Sequence, residues 1–204
     1  MPFRPLTKGE VALTLSIFGN AIDCSTVQIS SQKHNALFHG KNITMAPDGN
    51  IYCNQTYKED YSTCDVGFRS HFVHEMVHVW QYQNKVLHPV LAAAKDTLKH
   101  KFNYSAAYKY SLSQNKDLCD YGIEQQACII QDYYLLCQGY LPQRHTPSKM
   151  PANDNNLKTQ YKAVLKNFLN QPSYARPKKV SFASKALWKT TDQMTRMLRS
   201  KRKP

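Results

Sequence analysis

Apolar residues recur at helical spacing along much of this chain. Val11, Leu15, Phe18 and Ile22 follow one face of a first helix over 8–22. Thr7-x-x-Glu10 just before them has the form of a capping box. Phe72, Met76, Val79 and Val86 mark a second helix over 67–86, and Phe68, Val73, Val77 and Trp80 widen its apolar surface. Ile123, Ala127, Ile130, Tyr134 and Cys137 mark a third over 122–138, between Gly122 and Gly139. Leu157, Tyr161, Val164, Leu165 and Phe168 give a short amphipathic helix. Val90–Lys101 and the stripe from Ala183 to Leu198 are further helical segments. Strand signals are fewer. Val27–Ser30 reads as a short strand, and 42–53 as a hairpin with Asp48-Gly49 in its turn. The pattern predicts an α+β fold that is mainly helical, with a small sheet or hairpin packed on the 67–86 helix. It divides into a domain over 1–141 and, after a polar Pro-containing linker, a basic helical extension within 142–204.

The second helix carries polar residues where burial is expected. His74-Glu75-Met76-Val77-His78 is an H-E-x-x-H motif, and residues four apart share a helix face. Two imidazoles so placed can hold one Zn²⁺, and the adjacent Glu75 suits a general base toward water. This chemistry belongs to zinc peptidases. His71, one turn earlier on the same face, reads as a packing or surface histidine, or as a group supporting the site. A catalytic zinc usually takes three protein ligands. The longer motif with Gly at 81 and His at 84 is excluded by Gln81 and Asn84. Glu124, in the first turn of the third helix, is one candidate third ligand. Asp117, Asp120, Asp132, His88 and His100 are others. Tyr121 and Tyr133 are candidate donors to a developing oxyanion, with packing as the alternative use of each ring.

Several blocks together resemble a known family. They are Leu6-Thr-x-Gly-Glu10, Phe18-Gly-Asn-Ala-Ile-Asp23, Ile43-Thr-Met-Ala-Pro-x-Gly49, His74-Glu-Met-Val-His-Val-Trp-Gln81 and Tyr121-Gly-Ile-Glu-Gln-Gln-Ala127. In this order, over about residues 6–140, they are similar to bacterial Rhs- or Vgr-related zinc metallopeptidases of the zincin type. The resemblance implies a gluzincin-like domain with Zn²⁺ held by His74, His78 and Glu124, and Glu75 as the base. It further implies an association with type VI secretion. An effector made in the cytoplasm and exported by a non-Sec route to a rival cell's periplasm follows from it, with cell-wall peptide (peptidoglycan) as substrate. An immunity protein and the secretion machinery are the implied partners. Cys128 departs from the charged residue expected after Ala127, and the chain beyond about Pro142 lies outside the resemblance.

Composition narrows the alternatives. With 204 residues, 42% hydrophobic and 11% aromatic, the chain suits a globular domain with a usable core. No run of eighteen apolar residues is present, so no membrane-spanning helix is expected. The apolar stretch from Val11 mimics a signal segment, but the capping box and helical spacing read it as a first helix instead. The net charge of +13 is uneven, since residues 172–204 hold ten Lys and Arg against one acid. That tail suits an anionic surface, or serves as a solvated face. The six cysteines form no C-x-x-C pair; Cys53 and Cys64 are close enough in sequence to bridge, and free thiols are the alternative. Two rival functions remain: an intracellular protein-processing protease, and a non-catalytic zinc module binding an anionic polymer through the tail.

Overall fold

Strand β1 (Phe3–Pro5) opens a small sheet in the computed structural model, which describes residues 3–33, 44–86, 107–144 and 154–175. β1 pairs antiparallel with β2 (Gln28–Ser30), setting Phe3 opposite Ser30 and Pro5 opposite Gln28. β2 pairs in parallel with β3 (Ile51–Tyr52), setting Ile29 opposite Ile51. The order is β1-β2-β3. Pro5 sits on an edge strand, where its missing N–H costs no ladder bond inside the sheet.

The expected hairpin over 42–53 takes a different form. Only one antiparallel bridge joins its two arms among the described residues, between Met45 and Tyr52. Asp48 instead folds the loop on itself: its carboxylate accepts from the Asn50 backbone N–H at 3.1 Å and from the Tyr52 hydroxyl at 2.9 Å. Local bonding thus shapes the loop, and β3 spends its pairing on β2.

Helix α1 (Lys8–Phe18) carries the capping box read from the sequence. It ends earlier than the apolar pattern, at Gly19 with φ +50°, and a short 3₁₀ turn continues to Ala21. The buried Glu10 does more than cap. Its two oxygens receive Arg4 Nη1 and Nη2, both at 2.8 Å, together with the backbone N–H groups of Thr7 and Tyr61. One carboxylate therefore ties β1, α1 and the 3₁₀ turn at Tyr61–Thr63 together.

Helix α2 (Val66–Gln83) is capped by Asp65, whose carboxylate accepts from the Phe68 N–H at 3.1 Å. It packs chiefly on α3 (Ile123–Cys137) and touches β3. Phe72, Val73, Met76, Val77, Val79 and Trp80 are buried from α2, and Ala127, Cys128, Ile129 and Ile130 from α3. The apolar surface of α2 runs nearly all round, as expected for a helix buried on several sides.

Helices α4 (Asp154–Val164) and α5 (Lys166–Asn170) follow. Leu157, Tyr161, Val164, Leu165 and Phe168 are buried in the same core as α1 and α2. Phe168 meets Phe18 and Trp80 edge-on, with ring centres 5.8 and 5.4 Å apart. Trp80 Nε1 donates to the Pro172 carbonyl at 2.9 Å. The architecture is mixed α/β, mostly helical with one three-stranded sheet. No described helix is long and apolar enough to cross a membrane. All six cysteines are free thiols, and Cys53 and Cys64 do not bridge. The helical segments expected at 90–101 and 183–198, and the basic tail from 176, lie outside the described residues.

Candidate metal centre

Helical spacing sets His74 and His78 side by side on α2, with ring centres 5.0 Å apart. Helix α3 brings the third group. Glu124 stands in its first turn, just after Gly122, where the helix dipole favours a carboxylate. Glu124 Oε2 lies 3.4 Å from His74 Nε2 and 3.3 Å from His78 Nε2. The ligand atoms of the three residues all fall within 4.8 Å of one another. Among the described residues, this is the group of His, Cys, Asp and Glu side chains arranged to hold a metal ion.

Proton placement explains why the group wants a cation. Gln126 Nε2 donates to the Tyr121 carbonyl at 2.9 Å, so Gln126 Oε1 is an acceptor. Gln81 Nε2 donates to that Oε1 and to the Ile123 carbonyl. Gln81 Oε1 then faces His78 Nδ1 at 2.9 Å, so Nδ1 carries the proton. A similar chain serves His74. Ser70 donates to the Gly67 carbonyl and receives Gln131 Nε2, which leaves Gln131 Oε1 to accept from His74 Nδ1 at 3.0 Å. Both Nε2 atoms are therefore free to offer lone pairs beside a carboxylate oxygen. Glu124 Oε2 is buried and has no hydrogen-bond partner, and the same holds for Glu75 Oε2. Buried acceptors without donors are costly unless a cation or water joins them. The donor set, two imidazole nitrogens and one carboxylate, fits Zn²⁺.

Without a metal, a proton takes that place. Burial lowers the basicity of His78, but the charge and hydrogen bonding of Glu124, with Glu75 and Gln81, outweigh it and hold His78 up at about 9. Burial would raise the Glu124 carboxyl; the two histidines pull it instead well below the usual carboxylate range.

Glu75 is buried on the same helix. Its Oε1 lies 4.0 Å from His71 Nε2. His71 Nε2 also meets the Thr44 hydroxyl at 2.8 Å. Thr56 donates to the Cys53 carbonyl, so Thr44 donates to Thr56 and His71 Nε2–H donates to Thr44. His71 thus joins the motif helix to the loop before β3. Burial, the largest cause, lowers its pKa.

The other candidates are used elsewhere. Asp132 is buried and accepts from the Tyr110 hydroxyl and from the backbone N–H groups of Gln143 and Arg144. Asp117 caps the Leu118–Asp120 turn and receives the Tyr174 hydroxyl, and Asp120 completes that cap. His88 and His100 lie outside the described residues. Tyr121 donates to the Ser111 carbonyl and accepts from the Ser113 N–H. Tyr133 stacks on Tyr161 with ring centres 6.2 Å apart. The tyrosine ring that lies on the metal group is Tyr108, stacked on His74 at 6.1 Å with the Arg144 guanidinium 5.6 Å from its centre. Sequence reading missed Tyr108, Gln81 and Gln131. Gln131 did leave a signal, as an amide two turns beyond Glu124 on a mostly apolar helix.

The fold and site define a small, mostly helical domain with a partly buried His₂Glu group fit for a metal. No family model matches the chain. It is 34% identical over 167 residues to the type VI secretion system spike protein VgrG2b of Pseudomonas aeruginosa. That match covers 81% of this chain, which spans only 15% of the relative's length. The solved effector domain of VgrG2b from the same organism superposes with a TM-score of 0.62 at 30% identity, covering 81% of each chain. The chain belongs to the family of the VgrG2b effector domain. The Vgr side of the resemblance drawn from the sequence is thereby supported.

Proposed function

We propose that this chain is a zinc-dependent peptidase of zincin-like type that acts as a type VI secretion effector. The observation that carries the peptidase reading is the convergence of His74 Nε2, His78 Nε2 and Glu124 Oε2, with the unpartnered carboxylate oxygen of Glu75 on the same helix as the histidines. His74, His78 and Glu124 would hold the Zn²⁺. Bound there, it would supply Lewis acidity, polarising a scissile carbonyl and acidifying water. Glu75 takes the proton from the attacking water at its carboxylate and delivers it to the leaving amide nitrogen. Water adds across the C–N bond, and the products are a carboxylate and an amine.

Kinship with an effector domain on a secretion spike supports export by a non-Sec route, with the secretion machinery as partner. It also supports a target in a rival bacterium. The cell-wall peptide is the substrate we assign, with an immunity protein in the producing cell.

The test uses zinc content and peptidoglycan digestion. The purified chain should bind one zinc and release new peptide termini from peptidoglycan, read by mass spectrometry. Glu75→Gln should keep the zinc and lower hydrolysis by about 10²–10⁴-fold, the usual contribution of a general base. Unchanged hydrolysis in that variant would sink the mechanism; zinc binding with peptidase activity but no cleavage of peptidoglycan would sink the substrate.

A further inference from the structure

The motif and Glu124 account for the metal ligands, but not for how two flexible histidines present the correct nitrogen. We propose that Gln81 and Gln131 are positioning residues that lock His78 and His74 in the Nδ1–H form and so aim both Nε2 lone pairs at one point. The proposal rests on the zinc reading above and deepens it.

Each amide is held from behind. Gln81 cannot turn over, because its Nε2 faces the Ile123 carbonyl at 3.0 Å and Gln126 Oε1 at 2.9 Å, and both only accept. Turning it would set three acceptors against one another in a buried place, since Gln81 and Gln126 are fully buried. The chain of bonds ends on a backbone carbonyl, that of Tyr121, which cannot change role. Gln131 is held more lightly. Among the described residues its Nε2 reaches only the Ser70 hydroxyl, at 3.4 Å, and that hydroxyl is committed to the Gly67 carbonyl.

The arrangement also crosses the helix interface. Gln131 stands on α3 and acts on a histidine of α2, while Gln81 stands on α2 and is held by α3. Both helices must dock before either histidine is fixed. Docking of α2 on α3 therefore delivers the third ligand and sets the form of the first two in one event. Partners of this kind raise ligand basicity and fix ring orientation, and their loss commonly costs about 10–100-fold in metal affinity.

Gln131 gives the cleaner test, because apart from the His74 Nδ1–H under test its removal leaves only a hydroxyl that is already bonded. Gln131→Met should weaken zinc binding by about 10–100-fold in a chelator competition. Gln131→Glu should restore or exceed wild-type affinity, because a carboxylate still accepts from His74 Nδ1–H and does so more strongly. Cobalt substituted for zinc adds a spectroscopic reading. Its visible bands should be disturbed in the Met variant and retained in the Glu variant. A fold effect alone would lower affinity in both variants and would overturn the proposal, as would wild-type affinity in Gln131→Met. If the unaltered chain binds no zinc, the metal reading fails instead, and long-range ¹H–¹⁵N spectra of the metal-free chain still decide the present one. His74 should then show its proton on Nδ1 in the unaltered chain and lose that preference in Gln131→Met; an unaltered preference would overturn it.

Discussion

His78 Nε2 and Glu124 Oε2 face each other at 3.3 Å across the α2–α3 interface. In the metal-free protein a proton lies between them, because His78 is held up at about 9. The proposed zinc would have to displace it. Apparent zinc affinity should therefore climb about tenfold per pH unit from near 7 to 9 and level off above, as proton competition ends. The stability of the metal-free protein moves the other way. The folded pKa of His78 lies above its ordinary value of 6.5, so this stabilisation is fully present below about 6.5 and is lost as pH rises through 9. Chelator competition and urea melts across pH 6–10 measure both. In Glu124→Gln the pH step in the metal-free melts should disappear; its persistence would show that another group holds the proton.

Arg4 meets Glu10 with both guanidinium nitrogens at 2.8 Å, and Glu10 is wholly buried. Removing one partner of a buried pair leaves an uncompensated charge and costs about 3–5 kcal/mol. Arg4→Met should lower the urea midpoint accordingly. Adding Glu10→Gln to Arg4→Met should recover part of the loss, since the stranded charge is then gone. A double variant worse than the sum of the two singles would contradict this account.

Gly9 lies inside α1, where alanine would ordinarily add about 0.5–1 kcal/mol of helix stability. Here a Cβ would fall 2.0 Å from Ser62 Oγ and 2.9 Å from Ser62 Cβ. The clash engages the turn that Glu10 also anchors, so overpacking at about 1–3 kcal/mol outweighs the helical gain. Gly9→Ala should lower the thermal midpoint. A raised midpoint would mean that helix and turn separate without cost.

Much of this was legible in the chain. The capping box Thr7–Glu10, the span of α2 and that of α3 all follow from residues within a few positions of one another. So does the pairing of His74 with His78, since four residues make about one helical turn. The sheet was legible only in part. β2 and β3 are two or three residues long, and a pair that short takes its direction from what it packs against. The loop before β3 therefore offered a hairpin signal, and the chain formed a parallel pair.

By itself, the sequence determined two metal-ligand candidates, the candidate base beside them and the helices that carry them, because these depend on local periodicity. Glu124 could be narrowed from sequence to a short set of acids and histidines. The family resemblance then singled it out, and the docking of α3 on α2 sets its carboxylate beside both histidines, whereas those of Asp117, Asp120 and Asp132 serve caps and backbone donors. The tertiary structure alone decided the proton on each histidine. That outcome depends on amides and carbonyls distant in the chain, such as Gln131 for His74 and Ile123 for Gln81, and a helical period carries no information about which of them meet.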